Sequence, residues 1–166
     1  MMHYQVRTLR SEDFVVLGQL EAEIFGSAGY APLCPYYLRL CTEFYPDTSF
    51  LALAGDRPIA YLLAFVRERE AYCPRLGVRR EFQGTSAATQ VIMALLTTLV
   101  ARGVDLCWFT VKPENTHARA LYRRLGATER GTRRDFFATG DELLVQDLDV
   151  RCGLERLRQG LRARAG

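Results

Sequence analysis

The feature that most constrains this chain is a set of three apolar segments, 49–54, 59–67 and 71–78, separated by very short breaks. The first break is Gly55-Asp56-Arg57-Pro58, a strong hairpin signal, and the second is Glu68-Arg69-Glu70, a charged turn. Apolar runs this short and this closely spaced are strands rather than helices, so the middle of the chain is three consecutive strands. Pro74 lies inside the third and removes a backbone donor there, which calls for a bulge or an edge position.

On either side the period changes. Residues 4–9 alternate as a first strand. Ser11 offers a helix N-cap, Glu12 and Asp13 fall in the first turn, and Phe14, Leu17, Leu20, Glu21, Ile24 and Phe25 recur near every 3.6 residues, predicting a helix over 11–25. Gly26, Gly29 and Pro32 break it, and a second helix follows over 36–44, between Pro35 and Pro46. After a polar loop at 79–85, residues 86–102 form a long helix with Val91, Ile92, Leu95, Leu96, Leu99 and Val100 on one stripe, ended by Gly103. A strand at 104–111, a helix at 115–125 and a hairpin of 136–138 with 143–150 complete the order β α α β β β α β α β β. Such an order implies an α/β fold with a mixed sheet covered by helices, here a single domain over residues 1–150.

The net charge of +3 is unevenly spread: residues 151–166 hold five arginines against one acid, Glu155, while the rest of the chain is close to neutral. A body without a basic face is not expected to bind nucleic acid. Leu154, Leu157 and Leu161 sit at helical spacing in that basic C-terminal segment, which packs on its own domain, trails as a tail or meets a second subunit as a homodimer contact. The five cysteines, Cys34, Cys41, Cys73, Cys107 and Cys152, have neither disulfide nor zinc spacing, and a cysteine nucleophile would want a histidine where the chain offers only His3 and His117. No run is long enough to span a bilayer, and the first residues lack the apolar core of a signal peptide, so no membrane association and a cytoplasmic location are expected.

Two segments carry chemistry. Residues 78–88 pass from a strand end through a glycine-containing loop into a helix start. Such a junction presents backbone N–H groups without helical partners and the positive end of the helix dipole, which suits a phosphate or pyrophosphate. An ordinary helix capped by Ser86 accounts for the same pattern. Residues 111–127 place Ala118, Leu121, Tyr122 and Leu125 on one helix face, with Asn115 as a cap and Gly126 as a left-handed stop. Taken alone, Tyr122 reads as an amphipathic core tyrosine.

Together the two segments resemble the signature motifs of the GNAT superfamily of N-acetyltransferases. Glu114-Asn115, Ala118, Ala120-Leu121-Tyr122 and Leu125-Gly126 resemble the second motif along its length. Gln83-Gly84-Thr85-Ser86-Ala87-Ala88 resembles the loop Arg/Gln-x-x-Gly-x-Gly/Ala and departs from it at Ser86, where glycine is usual. The order of elements resembles that fold over residues 4–150. The resemblance implies a central, mostly antiparallel sheet with a splayed parallel pair, here 71–78 and 104–111, and an acetyl-CoA-dependent N-acetyltransferase activity. The pantetheine arm of coenzyme A would then run beside Leu76, Gly77 and Val78, with the pyrophosphate on the amides of Gln83, Gly84, Thr85, Ser86, Ala87 and Ala88. Tyr122 would touch the cofactor and protonate the departing thiolate, its phenol roughly matched in pKa to a thiol, and Asn115 would contact the cofactor or an ordered water. An amine attacks the thioester directly, so neither a covalent enzyme intermediate nor a metal is required. Glu68, Glu70 and Tyr72 lie where this family often places a base.

A second resemblance concerns the acceptor. Residues 36–44 with Asp47-Thr48-Ser49 resemble diaminobutyrate acetyltransferases of ectoine biosynthesis, although Pro74 and Arg75 stand where that family has Trp and Gln. It implies an acceptor wall containing Tyr36 and Tyr37, with Arg39 or Arg75 as partner for an acceptor carboxylate. The expected substrate is a small primary amine, whether an amino acid, a diamino acid or a related amine. A peptide N-terminal acetyltransferase and a non-catalytic acyl-CoA-binding regulator share the fold and are the alternatives.

Overall fold

The computed structural model describes residues 3–26 and 31–163. Seven strands form one mixed sheet in the order β1-β2-β3-β4-β5-β7-β6, and the chain divides into two compact units, Met1–Phe65 with Arg75–Thr98, and Val66–Pro74 with Leu99–Gly166.

In the first unit, β1 (Gln5–Thr8) pairs antiparallel with β2 (Phe50–Ala54), Gln5 opposite Leu53 and Thr8 opposite Phe50. β2 pairs antiparallel with β3 (Arg57–Arg67), and the register shifts between Ala52 and Leu53, where Pro58 faces the bulge. β4 (Glu70–Val78) returns beside β3, and just past its end the Arg79 N–H donates to the Ile59 carbonyl at 2.9 Å. The helix predicted over 11–25 is three pieces: a 3-10 turn at Ser11–Asp13, α1 (Phe14–Glu21) and a π-turn at Ala22–Gly26. Its start is held by Asp13, whose Oδ2 accepts the Arg10 N–H at 2.7 Å, while Ser11 donates its hydroxyl to Glu43 Oε1. Next come α2 (Pro35–Phe44), close to the predicted span, and α3 (Ala87–Ala101). Leu9, Leu17, Leu20, Leu38, Cys41, Leu51, Tyr61 and Leu63 form the core between α1, α2 and the strands. Fully burying each leucine contributes about 1.5–3 kcal/mol.

In the second unit, β5 (Leu106–Val111) pairs parallel with the start of β4, from Glu70 opposite Leu106 to Cys73 opposite Phe109. Pro74 follows inside β4, which is an inner strand rather than the edge the sequence suggested; it is accommodated because the paired register with β5 stops at Cys73, beyond which a residue without an N–H breaks nothing on that side. β5 also pairs antiparallel with β7 (Glu142–Asp149), so it joins both strand senses. Cys107, Phe109 and Val111 are buried on one of its faces, and Leu106, Trp108 and Thr110 are half-buried on the other. α4 (Thr116–Leu125) begins at Asn115 and stops at Gly126, whose φ of 92° is left-handed, as expected.

One strand of the C-terminal region differs from the sequence reading. The strand expected at 136–138 belongs to the connection of the hairpin; the strand itself is β6 (Thr128–Arg134), which pairs with β7. Every residue of β6 is exposed, so it lies at a sheet edge and carries no apolar alternation for a reader to find. The C-terminal segment is a full helix, α5 (Val150–Ala163), continuing from β7 and burying Val150, Leu154 and Leu157.

Candidate functional site

The loop between β4 and α3 is built by its own hydrogen bonds. A 3-10 turn at Arg80–Phe82 carries the chain out of β4, and Thr85 N–H donates to the Phe82 carbonyl at 3.3 Å. Gly84 sits at φ +78°, and a Cβ there would meet nothing within 4 Å, so glycine is required by the turn and leaves the backbone approachable. The hydroxyl that meets the helix start is that of Thr85 rather than Ser86: Thr85 Oγ1 accepts from Ala87 N–H at 3.2 Å and donates to the Phe82 carbonyl at 2.6 Å. Ser86 is buried, and its Oγ accepts from Gln90 Nε2 at 2.7 Å. The side chain that replaces the usual glycine therefore turns inward to Gln90. The exposed glycine turn against a helix start fits a phosphate group.

The strand residues ahead of the loop are less available. Gln83 Nε2 donates to the Val78 carbonyl at 3.2 Å, tying the loop to the strand end. Gly77 is buried, and a Cβ on it would lie 2.5 Å from Tyr61 Cε1. Its lack of a side chain thus answers to Tyr61, whatever its backbone does. Leu76 is half-buried beside it.

Tyr61 leads to the largest feature the sequence reading missed. Glu21 is fully buried at the end of α1, and its carboxylate accepts from the Tyr61 hydroxyl, from Arg75 Nε at 2.9 Å, from Arg75 Nη2 at 3.0 Å and from Leu33 N–H at 2.8 Å. Arg75 also donates to the Ala31 carbonyl at 2.9 Å and lies 4.0 Å over the Phe25 ring. The guanidinium expected to await an acceptor carboxylate is thus already bidentate to a carboxylate of its own chain. Burial and the neighbouring Glu21 charge push the Tyr61 phenol well above its ordinary pKa. An acid on the apolar stripe of Leu17, Leu20 and Ile24 was the signal available in the sequence.

The other expected acceptor residues divide. Tyr37 is half-buried, its ring edge-on to Phe65 at 5.6 Å, whereas Tyr36 is 85% exposed on the outer face of α2. Arg39 pairs with Glu43 at 3.0 Å and covers the Phe14 ring at 4.0 Å, clamping α2 to α1.

In the second unit the centre is Tyr122. It is 6% exposed, and its ring stacks on Phe109 with centroids 4.2 Å apart. Burial, then the neighbouring thiols of Cys73 and Cys107 and the Tyr72 hydroxyl, raise its pKa well above the usual phenol value. The hydroxyl therefore holds its proton more tightly than the near-match to a thiol read from the sequence. Asn115 caps α4, its Oδ1 accepting from Ala118 N–H at 3.1 Å.

On the opposite face of β5 lies an aromatic cluster. Tyr72 stacks on Trp108 at 3.9 Å, and its hydroxyl is 2.8 Å from Thr110 Oγ1. Phe136, from the β6–β7 connection, stands edge-on to Tyr72 at 6.2 Å and tilted against Trp108 at 6.5 Å. Of the two glutamates expected nearby, Glu68 is exposed in the β3–β4 turn with φ 55°, and Glu70 pairs with Arg67 at 3.1 Å, six positions ahead of Leu76. Both sit at the turn end of β4. Of the three candidate bases, Tyr72 is the one whose hydroxyl helps raise the Tyr122 pKa.

A mixed sheet with a parallel pair, a glycine turn into a helix and a buried tyrosine on the next helix describe one family. The family model for the acetyltransferase (GNAT) family matches residues 5–127, and the chain belongs to that family. It is 33% identical over 86 residues to the [ribosomal protein bS18]-alanine N-acetyltransferase of Salmonella typhimurium, covering 52% of this chain and 58% of that protein. It is 25% identical over 115 residues to the L-2,4-diaminobutyric acid acetyltransferase of Marinococcus halophilus, covering 68% of this chain and 63% of that one. The chain thus spans less than two thirds of the length of these curated relatives. Among solved structures, the ribosomal-protein-S18-alanine N-acetyltransferase from Escherichia coli superposes with a TM-score of 0.78 at 20% identity, over 89% of this chain and 94% of that one. Among the described residues, no helix is long and apolar enough to cross a membrane, and no His, Cys, Asp and Glu cluster suits a metal.

Proposed function

We propose that this protein transfers the acetyl group of acetyl-CoA to the primary amine of a small molecule, an amino acid or related amine, in the cytoplasm. The observation that carries the reading is Tyr122, a buried phenol kept neutral on the helix that bears the family motif. Acetyl-CoA, when bound, supplies an acyl group activated as a thioester. On this reading the amides at Gln83, Gly84, Thr85, Ser86, Ala87 and Ala88 hold the pyrophosphate, and Leu76, Gly77 and Val78 lie along the pantetheine arm. Asn115 orders the start of α4, and Tyr122 delivers its proton to the leaving sulfur.

On the amine side, Tyr72 replaces Glu68 and Glu70 as the group of choice, because its hydroxyl bonds Thr110 and its field helps keep the Tyr122 phenol neutral. These are hydroxyls rather than carboxylates, which suits an acceptor that needs little help to lose its proton. An α-amino group with a pKa of about 8 is about a quarter neutral at about pH 7.5, whereas a side-chain amine at about 10.4 is neutral only about one part in a thousand.

A peptide N-terminus is the second reading, favoured by the bS18-alanine N-acetyltransferase relative. Free-thiol release from acetyl-CoA, followed across amino acids, diamino acids, polyamines and N-terminal peptides, tests both. Turnover with small amines supports the first and turnover confined to peptides supports the second. Tight acetyl-CoA binding without turnover on any acceptor would make the protein a non-catalytic acyl-CoA-binding regulator.

A further inference from the structure

The Tyr72, Trp108 and Phe136 cluster is half-buried, although its partners on the other face of β5 are fully packed. Its rings are Tyr72 flat on Trp108, with Phe136 standing against both. Phe137, 62% exposed, continues the surface, its centroid 4.8 Å from that of Phe136. One end is polar: the Tyr72 hydroxyl meets Thr110 Oγ1. The rim is basic. The Arg130 guanidinium lies 5.7 Å from the Trp108 centroid and the Arg133 guanidinium 5.7 Å from that of Phe136. Asp147 answers Arg130 at 3.3 Å, and the Asp141 carboxylate accepts from the Phe136 and Phe137 N–H groups at 2.7 and 2.9 Å, so among the described residues Arg133 is the rim guanidinium with no carboxylate paired to it.

We propose that this aromatic shelf binds the acceptor, and that the acceptor is a free α-amino acid with an aromatic or large aliphatic side chain. The inference rests on the acetyltransferase reading and narrows its substrate. The apolar side chain lies on Trp108 and Phe136, where aromatic contact adds about 0.5–1.5 kcal/mol beyond burial. The carboxylate meets the Arg133 guanidinium, and the amine points to the polar end at Tyr72 and Thr110. A diamino acid brings a second ammonium and no apolar body for the rings. A peptide N-terminus offers a neutral carbonyl where the rim favours a full negative charge.

Trp108 is the only tryptophan in the chain, so its fluorescence reports on the shelf alone. The test titrates the protein, without cofactor, with L-phenylalanine, phenethylamine, phenylalanine amide and L-2,4-diaminobutyrate, and measures acetyl-CoA binding separately by thermal shift. The expected result is a saturable emission change with L-phenylalanine, with affinity about ten-fold or more weaker for the two ligands lacking the carboxylate. Arg133→Gln, an exposed change, should remove most of that ten-fold difference while leaving phenethylamine binding as it was. No saturable response to L-phenylalanine, or a response as strong to the amide or to diaminobutyrate, overturns the inference. Loss of the acetyl-CoA shift alone contradicts the acetyltransferase reading and leaves the shelf to be decided by the titration.

Discussion

Arg75 binds Glu21 through two parallel hydrogen bonds, Nε to Oε1 at 2.9 Å and Nη2 to Oε2 at 3.0 Å, with the carboxylate fully buried. A buried pair of this kind adds little net stability over a well-packed apolar pair, but removing one partner strands the other charge. It also ties the end of α1 to the chain ahead of α2, through the Leu33 N–H and the Ala31 carbonyl. Arg75→Met should therefore destabilise the fold by about 3–5 kcal/mol in urea unfolding. The double change Glu21→Leu with Arg75→Met should recover much of that loss. If the single change is silent, the ion pair is not what positions this segment.

Gly77 reports on the same network from the other side. Gly77→Ala puts a methyl 2.5 Å from Tyr61 Cε1, a fully buried ring tied to Glu21. Overpacking of this sort costs about 1–3 kcal/mol. The expected outcome is a lower urea midpoint with the slope unchanged, and Tyr61→Leu in the same chain should relieve the clash.

The two buried phenols give a pH dependence with a definite sign. Burial raises the folded-state pKa of both Tyr122 and Tyr61 above the unfolded value of about 10. Their contribution to stability is full below that unfolded value and is lost as pH rises toward the folded one, because only the unfolded chain gives up the proton. In an alkaline titration of the native protein followed by phenolate absorbance, these two of the eight tyrosines should stay silent until the chain unfolds. Ionisation of all eight in a single early wave would contradict their placement.

Asn115→Ala tests the helix that presents Tyr122. Losing the cap to Ala118 N–H should cost about 1 kcal/mol of stability. Because the cap fixes α4, kcat should fall together with stability, while acetyl-CoA affinity changes little. A large loss of cofactor affinity instead would give Asn115 the direct contact that the family resemblance implies.

What the sequence revealed depended on whether a residue's neighbours are local. α4 was legible from cap to stop because Asn115, the stripe of Ala118, Tyr122 and Leu125, and Gly126 act within one helix. The meander was legible because its turns are written in Gly55-Asp56 and Glu68-Arg69. β6 was not, since its all-exposed Thr128–Arg134 has no apolar face and is a strand only through β7. Arg75 and Arg39 looked like ligands for an acceptor because their partners, Glu21 and Glu43, become visible only once α1 and α2 have folded against the strands. Tyr72 gained weight in the same way, through Thr110 and Tyr122, residues distant in sequence.

Steady-state acetyl transfer by Tyr122→Phe bears most directly on the proposed chemistry, because it removes one hydroxyl and leaves the ring on Phe109. With an accepting amine at saturation, kcat should fall about ten-fold or more while the Kd for acetyl-CoA stays within about two-fold. A kcat equal to that of the parent chain would contradict the assignment of the leaving-group proton to Tyr122.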